Sequence, residues 1–179
     1  MRIGISGAHG VGKTTLARKL QRITKLHRIH EVARTVAAEM GFTDNDQIMA
    51  ADRETVRIFQ QRIYYRQLWA EENEFISDRT VFDVIAYMRL YGLDQGLIID
   101  FTRHAAQHSK EYDLIIFCPI PTGEIKNDGF RLTDIVSQAY IDSYLKDLLI
   151  NHAQCPVVYL PKDRKAWLAS AYHQIRGKS

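Results

Sequence analysis

The sequence predicts an α/β protein in which a parallel sheet of five strands lies between two layers of helices. Five short apolar segments typical of buried strands alternate with longer segments that have helical periodicity. This alternation is typical of a three-layer sandwich with right-handed crossovers. The strands are predicted at 2–6, 26–30, 74–78, 112–117 and 156–160. The pattern leaves their order within the sheet open.

Length and composition favour one domain of ordinary size. The chain has 179 residues and a formal net charge of +3, with no internal repeat or Gly/Ser-rich linker, so we expect a single domain over 1–179. Two cysteines, Cys118 and Cys155, lie in or beside apolar segments and are expected to be reduced core residues. Without a signal segment or an apolar run of membrane-spanning length, we expect a soluble, cytoplasmic protein with no membrane partner.

The most specific motif is Gly-Ala-His-Gly-Val-Gly-Lys-Thr at 7–14, a complete G-x-x-x-x-G-K-[ST] phosphate loop. It lies between the first predicted strand and a helix that starts near Lys13, which is the context that such a loop requires. Its backbone N–H groups and the helix N-terminus would hold a polyphosphate. Lys13 would reach the β- and γ-phosphates, and Thr14 would bind Mg²⁺. The predicted nucleotide-binding residues are Gly7, His9, Gly10, Val11, Gly12, Lys13, Thr14 and Thr15, with His9 a spacer rather than a catalyst.

A carboxylate and an arginine follow the second strand, where a parallel sheet binds its ligands. Glu31 could accept a proton from an attacking hydroxyl, and Arg34 could hold a substrate phosphate with its planar fork. An ordinary surface pair at helical spacing explains the same residues. The position alone does not choose between the two interpretations.

A second acid and arginine follow the third strand. Asp78 could hold Mg²⁺ through water, and Arg79 could stabilise charge on the transferred phosphoryl group. The alternative is a helix cap with a structural arginine, because a helix is predicted at 81–88. The phosphate loop favours the functional interpretation.

Further helices are predicted at 32–40, 44–73, 98–108, 134–151 and 163–176. The segment 44–73 begins with capping side chains at 44–46 and is rich in Arg, Gln and aromatic residues. Such side chains can stack on a nucleobase, although an aromatic stripe at helical spacing is more often core. Arg57 in this segment is a candidate for binding an acceptor phosphate.

The longest non-periodic segment, 121–133, has the composition of a lid that closes over phosphates. It contains two glycines as hinges and two cations, Lys126 and Arg131. A surface loop without a catalytic role is the alternative.

Basic residues cluster early and late in the chain. These clusters would suit a polyanion such as a nucleotide or nucleic acid, and solvated helix faces explain most of them equally well. Their members are Arg18, Lys19, Arg22, Lys25, Arg28 and Arg34, and Lys162, Arg164, Lys165, Arg176 and Lys178.

Together these motifs resemble those of small P-loop kinases, specifically the ribosylnicotinamide kinase domain and the deoxynucleoside and thymidylate kinases. The resemblance spans nearly the whole chain. It rests on the phosphate loop, 31–34, 75–80 with Asp83 and Tyr87, and 128–131.

The resemblance implies a strand order of 2-3-1-4-5 and an ATP-dependent phosphotransferase that uses Mg²⁺. It assigns the base or orienting role to Glu31, the acid-and-arginine pair to Asp78 and Arg79, and the cationic lid residue to Arg131. The lid holds fewer arginines than in many nucleotide kinases. A strand of apolar residues ending in Asp-Glu is missing, which argues against a motor-type ATPase.

The acceptor is left open. A nucleoside hydroxyl needs a base, for which Glu31 fits, whereas a nucleoside monophosphate needs cations, for which Arg34 and Arg57 fit. A hydroxymethylated pyrimidine within DNA is a third acceptor that the net charge does not favour. A regulatory NTPase without a small acceptor is the rival from another class. The oligomeric state is open between a monomer and a homodimer.

Overall fold

The computed structural model describes residues 1–122 and 135–177, which form eight α-helices and five β-strands. Two short 3-10 turns, Ser109–Glu111 and Arg164–Ala166, precede β4 and α8. In chain order the elements are β1 (Arg2–Ser6), α1 (Lys13–Thr24), β2 (His27–Ile29), α2 (Val32–Glu39), α3 (Asn45–Ala50), α4 (Arg53–Ala70), β3 (Phe75–Asp78), α5 (Val81–Leu90), α6 (Gln95–His108), β4 (Leu114–Phe117), α7 (Ile135–His152), β5 (Val157–Tyr159) and α8 (Trp167–Arg176).

The strands form one parallel sheet in the order β2-β3-β1-β4-β5. This confirms the predicted sandwich and the order that the kinase resemblance implies. In the centre, Ile5 of β1 pairs with Asp78 of β3 and Ser6 pairs with Phe117 of β4. The segments that follow β1, β2, β3 and β4 therefore leave the sheet at the same edge, which is where an open α/β sheet binds ligands.

The helices form two groups around the sheet. α1 packs against α8, whereas α5 packs against α4, α6 and α7. Between them, the side chains of the central strands are almost completely buried, including those of Ile3, Ile5 and Ile116. This core fixes the edge of the sheet from which the loops emerge.

The helix predicted over 44–73 is in fact two helices, α3 and α4. Ala51 is extended, with φ −69° and ψ 156°, so the chain turns between them. Asp52 then caps α4, because its carboxylate accepts hydrogen bonds from the Thr55 amide (2.9 Å) and hydroxyl (2.6 Å). Asp44 caps α3 in the same way.

Other predicted elements differ at their ends. α6 begins at Gln95, three residues before the predicted start, because Asp94 caps it. The last predicted helix begins with the 3-10 turn at 164–166 before α8. The lid predicted over 121–133 lies outside the described residues except for Pro121 and Thr122.

The two cysteines differ in burial. Cys118 is completely buried and Cys155 partly so. Burial raises the pKa of the Cys118 thiol, so it stays protonated. No helix among the described residues combines the length and the apolar character needed to cross a membrane.

Candidate active site

The phosphate loop needs glycine at three positions because its backbone turns through left-handed conformations. Gly7, Gly10 and Gly12 have φ values of 146°, 74° and 114°. A Cβ at Gly7 would lie 2.4 Å from the carbonyl oxygen of Cys118, just after β4, so this glycine is also required by the neighbouring strand. The loop is thus shaped by its own sequence and by its contact with the central sheet.

Lys13 lies at the centre of this loop and is 4 % exposed. Its Nζ donates hydrogen bonds to the carbonyl oxygens of Gly7 (2.7 Å) and Ala8 (2.5 Å). Burial and then the Arg79 guanidinium lower the pKa of Lys13 to about 8, although Asp83, Asp78 and Glu31 act in the opposite direction. A bound polyphosphate would therefore favour the charged form of Lys13.

The remaining predicted nucleotide-binding residues face different ways. Val11 is completely buried and supports the loop from the core, whereas Thr14 and Thr15 are exposed in the first turn of α1. Arg164, from the turn before α8, approaches the loop from the other side, where a Cβ on Gly12 would lie 3.7 Å from its Cδ atom. Arg164 belonged only to a basic cluster in the sequence, and the fold brings it to the phosphate loop.

An ion-paired cluster stands beside the loop, and it joins residues 48 positions apart in the chain. Arg79 Nε donates to Glu31 Oε1 at 2.8 Å, and Arg79 Nη1 lies 3.5 Å from Asp83 Oδ1. Arg34 Nε donates to the other Glu31 oxygen at 3.0 Å. Burial opposes the charge of Arg79, but Glu31, Tyr87 and Asp83 outweigh it and raise the pKa of Arg79 above its ordinary value.

Asp83 connects this cluster to the phosphate loop. It is completely buried; Oδ1 accepts from the Gly7 amide at 3.3 Å, and Oδ2 accepts from the Thr80 amide (3.0 Å) and hydroxyl (2.9 Å). Asp83 therefore caps α5 and also holds the phosphate loop. The sequence signal was the Thr80-x-x-Asp83 spacing at a helix start.

Arg79 has a strained backbone that buried neighbours hold in place. Its φ is 109°, which is rare for a residue other than glycine. The buried Gln67 Nε2 donates to the Arg79 carbonyl oxygen (3.3 Å) and to Ser77 Oγ (2.6 Å). Gln67 is in turn fixed by Glu71 at 2.6 Å.

Glu71 anchors this network deeper in the fold. Its fully buried carboxylate also accepts from the Tyr112 hydroxyl at 2.7 Å and lies 2.6 Å from His108 Nε2. The conformation of Arg79 is therefore set by side chains from α4, α6 and the segment before β4.

A cavity of about 70 Å³ adjoins Glu31 and Arg79. Five of its thirteen lining residues are apolar, and the other eight carry a polar or charged group. His9, predicted as a spacer in the phosphate loop, is one of the lining residues, and its Nδ1 lies 3.1 Å from the Tyr87 hydroxyl. The lining consists of His9, Glu31, Ala33, Asn45, Ile48, Phe59, Gln60, Ile63, Arg79, Asp83, Val84, Tyr87 and Tyr91.

Helix α4 contributes side chains to both the cavity and the core. Phe59 and Gln60 line the cavity. Tyr64 packs in the core against Phe101, with ring centroids 4.5 Å apart, while Trp69 is 74 % exposed.

Two side-chain amides, those of Asn45 and Gln60, line the cavity. The Asn45 Nδ2 atom is buried without a hydrogen-bond partner in the described part of the chain, although Asn45 Oδ1 accepts from the Tyr91 hydroxyl at 2.8 Å. Gln60, which lines the same cavity, is 2 % exposed. A buried amide without a partner is costly, so the Asn45 amide is suited to pairing with something that enters the cavity.

Arg57 and Arg131, which were predicted to belong to the site, are not among the described residues that contact Glu31, Arg79 or Asp83. Arg57 lies on the surface of α4, where it pairs with Glu54 and contacts Gln61 Oε1 at 3.3 Å. Arg131 lies outside the described residues.

Asp78 stands at the end of β3, 2 % exposed, and its Oδ2 atom has no hydrogen-bond partner among the described residues. Residues 1–122 and 135–177 contain no group of three or more His, Cys, Asp or Glu side chains that could hold a metal by themselves. Mg²⁺ commonly binds one or two protein ligands together with substrate phosphates. Asp78 and Thr14 fit that kind of site.

Comparisons with known proteins agree with this geometry. The family model described as AAA domain matches residues 2–166. A comparison with curated protein sequences found no match.

Several solved structures share the fold. Deoxyadenosine kinase from M. mycoides with bound dCTP has a TM-score of 0.71 at 16 % identity, covering 99 % of this chain and 100 % of that one. The NadR protein in complex with NR has a TM-score of 0.70 at 21 % identity, covering 98 % of this chain but 51 % of that one. Shikimate kinase from Aquifex aeolicus has a TM-score of 0.59 at 13 % identity, covering 99 % and 97 %. The chain belongs to the AAA domain family and has the fold of the P-loop nucleoside and nucleotide kinases.

Proposed function

We propose that this protein is an ATP-dependent kinase that transfers the γ-phosphoryl group of Mg-ATP to a nucleoside or nucleotide acceptor. The observation that carries the proposal is the juxtaposition of Lys13 in the phosphate loop with the Glu31–Arg79 pair, which lines a cavity beside the loop. A site that only hydrolyses a nucleotide has no need for that second cavity.

The donor nucleotide would occupy the phosphate loop. The backbone amides of 7–14 and the ammonium of Lys13 would hold its phosphates, and Thr14 and Asp78 would hold Mg²⁺. When bound, Mg²⁺ neutralises charge on the β- and γ-phosphates. Arg79 would stabilise the charge that develops on the transferred group, since its guanidinium lies close enough to influence Lys13.

The acceptor hydroxyl would be activated by Glu31. Both oxygens of this carboxylate are engaged by arginines, Oε1 by Arg79 and Oε2 by Arg34. Arg34 is the more exposed of the two, with 42 % of its side chain accessible against 9 % for Arg79. An incoming hydroxyl would therefore replace Arg34 at Oε2 more readily, and Glu31 would then accept its proton.

The charges in the cavity favour a hydroxyl acceptor over a phosphate acceptor. Its lining includes two carboxylates, Glu31 and Asp83, and one guanidinium, Arg79, which already pairs with both. A nucleoside monophosphate would add about two negative charges at this place. A neutral nucleoside avoids that repulsion, and the amides of Gln60 and Asn45 offer hydrogen bonds to its base.

The cavity must widen to admit such an acceptor. A volume of about 70 Å³ holds about two water molecules. The Tyr91–Asn45 hydrogen bond joins α3 to the segment after α5 across the cavity wall. We infer that the short helix α3 moves outward when an acceptor binds.

An acceptor screen with labelled ATP and Mg²⁺ tests the proposal. It includes nucleosides, nucleoside monophosphates, ribosylnicotinamide, and DNA with and without hydroxymethylated bases. We expect a neutral nucleoside to take label faster than its monophosphate. Steady ATP hydrolysis with no labelled acceptor would instead support a regulatory NTPase.

A further inference from the structure

The net positive charge of the chain is concentrated in two helices on one side of the sheet and the turns beside them. Residues 14–30 and 162–177 contain nine of the 24 Lys and Arg residues but one of the 21 Asp and Glu residues. They therefore carry a formal charge of +8, and since the whole chain carries +3, the remainder carries −5. Because α1 packs against α8, these cations belong to one side of the molecule.

We call this surface the basic face; it comprises the exposed cations of α1, α8 and their flanking turns. Its members are Arg18, Lys19, Arg22, Lys25, Lys162, Arg164, Lys165 and Arg176.

The cations of the basic face differ from several arginines elsewhere in having no acidic partner among the described residues. None of the eight forms an ion pair with a described residue. Elsewhere both cases occur: Arg62 and Lys110 are exposed without an ion pair to a described residue, whereas several surface arginines pair with a carboxylate. Examples are Arg57 with Glu54, Arg66 with Glu39, and Arg103 with Asp100. The basic face thus leaves its charge available to an external partner.

Helix stability does not account for this arrangement. Cations stabilise the C-terminal end of a helix, which would explain Arg22 and Arg176. However, Lys165 lies just before α8, where the helix dipole disfavours positive charge, and the first turn of α8 contains no acidic residue. Like charges this close also repel one another. A bound polyanion would attract the cation at the start of α8 and would offset the repulsion among the like charges of the basic face.

The surrounding side chains favour the phosphate backbone of duplex nucleic acid as the partner. Proteins that bind single strands present aromatic rings for stacking, and helices that lie on membranes insert large apolar side chains. On α1 and α8 the only exposed large apolar residue is Ile23, at 43 %. Phosphate contacts need cations alone and carry no sequence information.

We propose that the basic face binds duplex nucleic acid through its backbone, without sequence preference. This inference does not rest on the proposed kinase activity. Its binding energy comes from counterion release, so affinity falls steeply with salt.

The test compares two triple variants that lose the same charge. Arg18→Gln, Arg22→Gln and Lys25→Gln are combined in one protein, and Arg57→Gln, Arg66→Gln and Arg103→Gln in the other. Both have a formal net charge of 0, and both are checked for an unchanged circular dichroism spectrum. Binding of a fluorescent 30-base-pair duplex is followed by anisotropy between 50 and 200 mM KCl, without ATP.

We expect the wild type and the second variant to bind with the same dependence on salt. In the first variant the slope of log K against log salt should become shallower by about 0.9 for each lost contact, or about 2.7 in total. Equal losses in the two variants, or no duplex binding by the wild type at 50 mM KCl, would overturn the proposal. So would binding to vesicles of anionic lipid in the absence of duplex binding.

Discussion

The phosphate loop and the cavity lined by Glu31 and Arg79 lie side by side, yet the chain builds them in opposite ways. The loop comes from eight consecutive residues, with three glycines at positive φ and a lysine folded onto its carbonyl oxygens. The cavity is assembled from separate segments between His9 and Tyr91, and its central ion pair joins Glu31 to Arg79. A local motif can be identified from spacing alone, whereas an assembled site depends on which helices pack together.

The largest effect should come from breaking the connection between the two regions at Arg79. Arg79→Ala removes the guanidinium that pairs with Glu31 and Asp83 and faces the phosphate loop. We expect phosphoryl transfer to fall by about 10³-fold or more, because such an arginine acts chiefly on transition-state charge. Steady-state kinetics with the best acceptor measures the loss, and calorimetric ATP binding serves as the folding check.

Arg79→Lys is the matched control, since it keeps the charge but loses the planar fork. We expect it to recover only part of the rate. If Arg79→Ala retained full activity, the site would have to draw its stabilising charge from another cation.

The next effect should come from Glu31 on the acceptor side. Glu31→Gln keeps the shape but removes the proton acceptor, so we expect kcat to fall by about 10²- to 10⁴-fold with ATP affinity near normal. Glu54→Gln is the control, because Glu54 is an exposed carboxylate that pairs with Arg57. Comparable rates in the two variants would remove Glu31 from the base role.

A smaller effect is expected at Gln67, which supports Arg79 without lining the cavity. Gln67→Met preserves bulk but loses the bonds to the Arg79 carbonyl and Ser77. A small displacement of a catalytic group can cost up to about 10²-fold, so we expect a loss of about tenfold in kcat with the acceptor KM little changed.

The matched variant is Gln61→Met, on the same helix. A change in KM alone, or an equal effect in Gln61→Met, would show that Gln67 does not act through Arg79.

The contrast between the two regions also explains what the sequence could predict. The alternation of strands and helices and the phosphate loop were predictable, because each depends on residues close in sequence. Asp78, Arg79 and Glu31 could be proposed because parallel strands end at one edge. The strand order came from the family resemblance.

What escaped prediction depends on tertiary packing. Gln60 and Asn45 became site candidates only because α3 and α4 are separate helices that wall a cavity. The break at Ala51 was obscured by continuous helical propensity, although Asp52 was a usable capping signal. The basic clusters were visible in the sequence, but it did not show that Arg34 pairs with Glu31 while the cations of the basic face form no ion pair with a described residue.

The smallest effect tests the phosphate loop alone, through the protonation of Lys13. Its pKa of about 8 lies below the ordinary value of 10.5, because burial and Arg79 disfavour its charge. Bound phosphates favour the charged form and should raise that pKa again. ATP binding should therefore be accompanied by proton uptake. The fraction of a proton taken up should be near zero at pH 6 and should grow as the pH rises through 8, while the affinity for ATP falls over the same interval.

Calorimetry at pH 6 and 8.5, in two buffers of different ionisation enthalpy, measures this uptake. Lys13→Arg is the control, since arginine stays charged throughout and should abolish the uptake at pH 8.5. An uptake that is the same at both pH values, or that persists in Lys13→Arg, would place the titrating group outside the phosphate loop.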